Sequence, residues 1–375
     1  MNAPALAGTE DHPQARIVLS SALVSGPSHA YLFHGPAGTG KRTVARAFAA
    51  ELLAEGADDP DAVRLRVEHG THPDLTWVRP SGAHQMRVED VDEPVVAAAT
   101  RTPFEASRRV FVLERVDTLN DQAANRMLKT LEEPPAFVHL ILLTDALGRV
   151  METVVSRCQL VRFEPLPAAR IAGALEAEGV PAERAAACAR LALGNAARAR
   201  YLASAAGEEL RGDVEHIVAS ALAGDGRGSE PWRPLLERAE QRRLEAEEAA
   251  ATERAERLEL EPKGRERRAI ERDLEEAAKR DGRRARTEVL DLGLALAALS
   301  FRDLVCLSED AGDAVLATDR APALAAAATG RDPRKLREAA EQCEETRLSL
   351  ELNVTEDLAL SALTFRLRSL VGDPG

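Results

Sequence analysis

The sequence predicts an α/β domain built on a parallel sheet, followed by an all-helical region. Three observations predict it. Apolar runs alternate with helical segments up to about residue 164, Pro165 and Pro167 interrupt that pattern, and no strand signal follows them.

Taken in order, Ala30–Phe33 is a short apolar run that leads into a glycine-rich turn. Thr43–Leu53 is helical and alanine-rich, and Asp74–Val78 reads as a second strand. Val110–Leu113 is continuously apolar, as in a strand buried on both faces. Asn120–Glu132 is helical, His139–Thr144 is another buried strand, and Leu160–Phe163 is a fifth. Small alanine-rich helices are expected over about 165–206, and helices only over 207–375. Within the last part, residues 231–280 hold 13 Lys/Arg and 14 Asp/Glu. The Glu261-Pro-Lys-Gly264 string interrupts them, which predicts a solvated hairpin of two long helices over 231–285, held by i,i+4 charge pairs. An amphipathic helix, Glu356–Leu370, closes the chain.

Composition excludes several classes. No apolar run approaches the roughly 20 residues of a membrane span, and the first residues lack a charged-then-apolar signal pattern, so a cytoplasmic protein without a membrane partner is expected. The four cysteines, Cys158, Cys188, Cys306 and Cys343, lie far apart with no CxxC pair. That argues against a zinc ribbon or a disulfide scaffold, and no zinc is expected. A net charge of -13 disfavours a DNA-coating protein.

Gly35-Pro-Ala-Gly38-Thr-Gly40-Lys41 follows a strand and precedes a helix, the context of a phosphate-binding loop. Its glycines let backbone N–H groups turn toward phosphate oxygens, and Lys41 would reach the outer phosphates. The residue after the lysine should carry a hydroxyl for Mg²⁺, but Arg42 stands there and Thr43 comes one residue late. One residue is about a 100° rotation on a helix, so Thr43 is expected to point elsewhere. A matching defect follows the strand Val110–Leu113, where an Asp-Glu pair is required for metal and water. The chain has Glu114-Arg115 instead. Glu114 could serve the metal in part, but a guanidinium cannot act as a base. Together the two defects predict weak or absent ATP hydrolysis, and leave ATP or ADP binding open.

Several strings then converge. His29-Ala-Tyr-Leu-Phe33, His72-Pro-Asp-Leu75, Ala123-Ala-Asn-Arg-Met-Leu-Lys-Thr-Leu-Glu-Glu-Pro-Pro135, Ser156-Arg-Cys158 and Asn353-Val354 together resemble the bacterial clamp-loader subunits of DNA polymerase III, in the AAA+ class. The resemblance implies a P-loop parallel-sheet domain at 1–164, a small helical lid at 165–206 and a helical collar for oligomerisation at 207–375. The charged hairpin looks like an insertion in the collar. The family contains ATP-hydrolysing motors and a non-motor member, delta prime. The defects at Arg42 and Arg115, with no cysteine over 54–71 where motors carry zinc ligands, point to the non-motor branch.

The resemblance also implies roles. Arg157 would complete the ATP site of a neighbouring subunit in trans. Gly35, Gly38, Gly40, Lys41, Thr43, Glu114, Thr144 and Arg198 are the candidate nucleotide-site residues, with Thr144 at the position that senses the γ-phosphate and Arg198 in the lid. Its partners would be motor gamma/tau-type and delta-type subunits, and through them the sliding clamp and primed DNA. An active motor subunit and a non-replicative AAA+ adaptor are the alternatives. His72 and Cys158 are expected to be structural.

Overall fold

The computed structural model describes residues 6–80, 85–224, 230–259, 265–350 and 354–372, without the side chains of 253–270 and 273. The turn at 261–264 and Asn353 of the last motif lie outside the described residues. The chain divides into two units, Met1–Leu166 and Pro167–Gly375.

Among its described residues the first unit holds five strands: β1 (Ala30–His34), β2 (Leu75–Val78), β3 (Arg109–Leu113), β4 (Val138–Thr144) and β5 (Gln159–Arg162). They form one parallel sheet in the order β2-β3-β4-β1-β5. All five expected strands are present, with ends shifted by one residue at most. Parallel neighbours need crossovers. Here α2 (Lys41–Ala54) and α3 (Pro60–Glu68) follow β1, and α4 (Val88–Val91) follows β2. The latter runs on into a π-helical turn, Asp92–Ala97. α5 (Asp121–Glu132) links β3 to β4, α6 (Glu152–Val155) links β4 to β5, and α1 (Pro13–Ser25) precedes the sheet.

Side chains alternate across the sheet, as a period of two requires. Tyr31, Phe33, Val110, Val112, Ile141 and Leu143 pack with α1, α2 and α3 on one face. Leu32, Phe111, Leu113, Leu140 and Leu142 pack with α5 and α6 on the other. Both faces are therefore covered, which is why these strands read as continuous apolar runs. Asn120 caps α5 by accepting the Ala123 N–H at 2.8 Å.

The second unit is helical throughout its described residues. It comprises α7 (Ala168–Ala177), α8 (Ala182–Leu191), α9 (Ala196–Ala203), α10 (Ala205–Ala223), α11 (Arg233–Glu259), α12 (Arg265–Ser308), α13 (Ala321–Ala328), α14 (Pro333–Leu350) and α15 (Glu356–Val371). The expected division into a lid and a collar falls inside this one unit. The charged stretch is two helices, α11 and α12, but the second does not stop near 285. It continues to Ser308, because its C-terminal half turns apolar and buries Val289, Leu290, Leu294, Phe301 and Leu304. Pairs such as Arg243–Glu247 and Lys279–Glu275 run along the helices at i,i+4. Arg286 also bridges Glu240 of α11 at 2.6 Å and Glu356 of α15, which ties the hairpin stem to the last helix.

Two buried ions of this unit, Arg211 and Asp303, are paired. Arg211 makes a bidentate pair with Asp319 at 2.7 and 2.8 Å. Asp303 accepts the N–H groups of Leu316 and Ala317 and a bond from Arg302. No described helix is long and apolar enough to cross a membrane.

Candidate functional site

The loop between β1 and α2 is set by glycine. Gly38 and Gly40 lie at φ 74 and 86, in the left-handed region that only glycine enters freely. Gly35, at φ 143, is crowded as well. A Cβ there would fall 2.0 Å from the Phe163 carbonyl oxygen, just beyond β5. Gly35→Ala should therefore destabilise the first unit by about 2 kcal/mol or more, the scale of one strained backbone position. Urea unfolding checks this, and a midpoint equal to the wild type's would refute it. From the other side, buried His12 hydrogen-bonds the Thr39 carbonyl at 2.6 Å. A carbonyl can only accept, so Nε2 donates.

Lys41 turns back into this loop and is buried. Its ammonium donates to the carbonyls of Gly35 at 2.5 Å and Pro36 at 2.6 Å, and pairs with the Asp145 carboxylate at 2.7 Å. Burial holds its pKa below the usual lysine value, opposed by Asp145 and Asp117. Arg42, at the position of the missing hydroxyl, pairs with Glu114. Glu114 is buried at the end of β3 and also accepts from Trp77 Nε1 at 2.7 Å and Arg79 Nε at 3.3 Å. The carboxylate nominated for the metal is thus surrounded by a guanidinium pair and an indole N–H. Thr43 lies against Gly8 of the N-terminal segment, on another side of α2 from this cluster. Arg115 has a left-handed backbone, φ 54, and leads into a 3₁₀ turn, Val116–Thr118.

Thr144, at the end of β4, donates to Asp117 at 2.8 Å and accepts the Ala146 N–H at 3.0 Å. Lys41, Arg42, Glu114 and Thr144 are accordingly gathered at the C-terminal ends of β1, β3 and β4, where ligands bind in open parallel sheets. Arg198 lies in α9 of the second unit, where burial lowers its pKa and Asp291 opposes that. Asp145, Trp77 and Arg79 escaped the sequence reading. Asp145 is next to the loop because His34 and Thr144 are register partners across β1 and β4, a pairing that no residue in the sequence advertises.

Arg157 follows α6 on the surface. It is about one-third exposed, with Nη2 pairing Glu132 of α5 at 2.5 Å and Nη1 donating to the Thr153 carbonyl at 2.9 Å. Neighbouring Cys158 is partly buried against the core, and burial pushes its thiol up to about 12, far from a reactive thiolate. His72 is buried, and its Nδ1 accepts the Asp74 N–H at 3.1 Å. Among the described residues, no group of three or more His, Cys, Asp or Glu could hold a metal ion.

Residues 12–167 match a family described as "DNA polymerase III, delta subunit". Over 145 residues the chain is 35% identical to the DNA polymerase III subunit delta' of Bacillus subtilis, covering 37% of this chain and 43% of that protein. It is 38% identical over 148 residues to the subunit of the same name from Pseudomonas aeruginosa, covering 38% and 44%. Over residues 12–167 the chain is similar to the delta and delta' subunits of DNA polymerase III. The likeness extends to a DNA polymerase III subunit gamma of Buchnera aphidicola, 31% identical over 154 residues, 40% of this chain and 41% of that one. Each alignment spans less than half of the relative's length. The matched region is also where the five-stranded sheet, the glycine loop and Arg157 lie.

Proposed function

We propose that the chain is a non-motor, delta-prime-type subunit of a DNA polymerase III clamp loader. It assembles with motor gamma/tau-type and delta-type subunits in the cytoplasm. The assembly loads the sliding clamp onto primed DNA, and this subunit supplies Arg157 to the ATP site of a neighbour. Residues 165–206 act as the lid and 207–375 as the oligomerising collar.

One observation carries the reading. Where a hydrolysing site needs a hydroxyl and a free carboxylate for Mg²⁺, the first unit has the Arg42–Glu114 ion pair. A guanidinium at that place repels a divalent cation, and the carboxylate beside it is already shared among three donors. The same pair argues against a motor subunit, whose chemistry depends on that metal.

The test has two parts. Co-expression with gamma/tau-type and delta-type subunits should yield a stable hetero-oligomer, and failure to assemble would defeat the reading. The purified chain alone should turn over ATP below about 0.01 s⁻¹, two decades under the slow end of ordinary enzymes. A steady-state rate near 1 s⁻¹ would instead establish a motor.

A further inference from the structure

We propose that Asp145 is a built-in competitor for phosphate: its carboxylate occupies the one bond of Lys41 that a nucleotide would take, and so sets the affinity of the loop. This rests on the reading of the glycine loop as a nucleotide site.

An ammonium has three N–H donors and no acceptor. In Lys41 all three are spent, on the Gly35 carbonyl, the Pro36 carbonyl and Asp145. The first two acceptors are backbone of the loop itself, fixed by glycine dihedrals and by the Phe163 contact. They cannot leave without dismantling the turn. The third is a side chain, and it is half exposed. Asp145 is therefore the exchangeable partner. A carboxylate oxygen resembles a phosphate oxygen in charge and in hydrogen-bonding capacity, so the two anions compete for the same N–H.

Asp145 is held in place from below. Its neighbour Thr144 is fixed by bonds to Asp117 and to the Ala146 N–H, and the His34–Thr144 register brings the end of β4 beside the loop. Asp117 also acts on Lys41 electrostatically. A phosphate would thus approach a lysine already neutralised by one carboxylate and within the field of a second. Affinity falls by the fraction of molecules in which Asp145 has swung away.

Binding of a fluorescent ADP, competed with unlabelled ATP and with pyrophosphate, tests this on the full-length chain. Asp145→Ala and Asp145→Asn should each tighten binding at least about 10-fold, a change of roughly 1.4 kcal/mol. The gain should vanish in Lys41→Ala/Asp145→Ala. Circular dichroism and melting of each variant confirm folding, and Asp145→Asn keeps the side chain's shape. Equal, measurable binding by wild type and both variants would overturn the proposal while the loop remains a nucleotide site. Binding by none of them would overturn both. A gain that persists without Lys41 would show a general charge effect rather than competition. Assembly with the other subunits is read separately and does not depend on these outcomes.

Discussion

Asp74→Ala should destabilise the first unit by about 4 kcal/mol, through three backbone N–H groups left without an acceptor. Asp74 is fully buried just before β2. Its carboxylate accepts from Phe104 at 2.6 Å and from Glu105 and Ala106 at 2.9 Å, so it folds the 104–106 loop around itself. Bonds to a charged acceptor contribute roughly 1.5–3 kcal/mol each, and three sharing one carboxylate add up to less than their sum. Burial raises its pKa, but the three N–H donors outweigh burial and hold it below the ordinary 3.8. The sign follows from linkage. A group whose folded pKa is depressed stabilises fully above its unfolded value, and that stabilisation is lost as pH falls through the folded value. The gap between wild type and Asp74→Ala should be constant from neutrality down to about pH 4, and shrink below it. Urea titrations across that range measure it. A gap under about 1 kcal/mol at neutral pH would show that the loop finds other acceptors.

Sequence reasoning reached what depends on local pattern. The central strands β1, β3 and β4 were legible because they are buried on both faces, and the glycine loop because its spacing is dictated by phosphate geometry. α1 and α3 were missed. In α1 the apolar residues do not share one face, since Ile17 and Val24 stay exposed while Leu19 and Ala22 are buried. The end of α12 was misplaced for a related reason: charge density falls near 285, but the backbone stays helical as its surroundings change from solvent to core. Site partners were the least legible. Asp145 meets Lys41 from 104 positions away through strand register, and Glu132 meets Arg157 from 25 away. Register and helix packing decide both contacts, and neither has a local sequence signal. The string His72-Pro-Asp-Leu75 was visible as a motif, yet its structural meaning lies in the N–H groups of residues 104–106, which Asp74 binds, and in the Glu105 carboxylate, 3.1 Å from His72 Nε2.

Arg157→Ala, in a reconstituted clamp loader, should lower ATP hydrolysis at the adjacent motor site by about 10³-fold or more, the range of arginine fingers. Its side chain now rests on Glu132, with both partners partly exposed. Such a pair contributes roughly 0–1 kcal/mol, so moving the guanidinium from Glu132 to a neighbour's phosphate sacrifices little. The same weakness means that the substitution should not unfold the chain or prevent assembly. A γ-phosphate in its transition state offers far more charge than one carboxylate, and a fixed guanidinium stabilises it where that charge builds up. Arg157→Lys should restore little, because a point charge lacks the planar fork. Glu132→Ala removes only the resting partner, and should leave hydrolysis within a few-fold of wild type. Whole-complex turnover would fall only in part, since other motor sites keep their own arginines, so single-turnover assays with the remaining sites disabled are the decisive readout. Unchanged hydrolysis at that isolated site in Arg157→Ala would confine this arginine to the surface pair with Glu132.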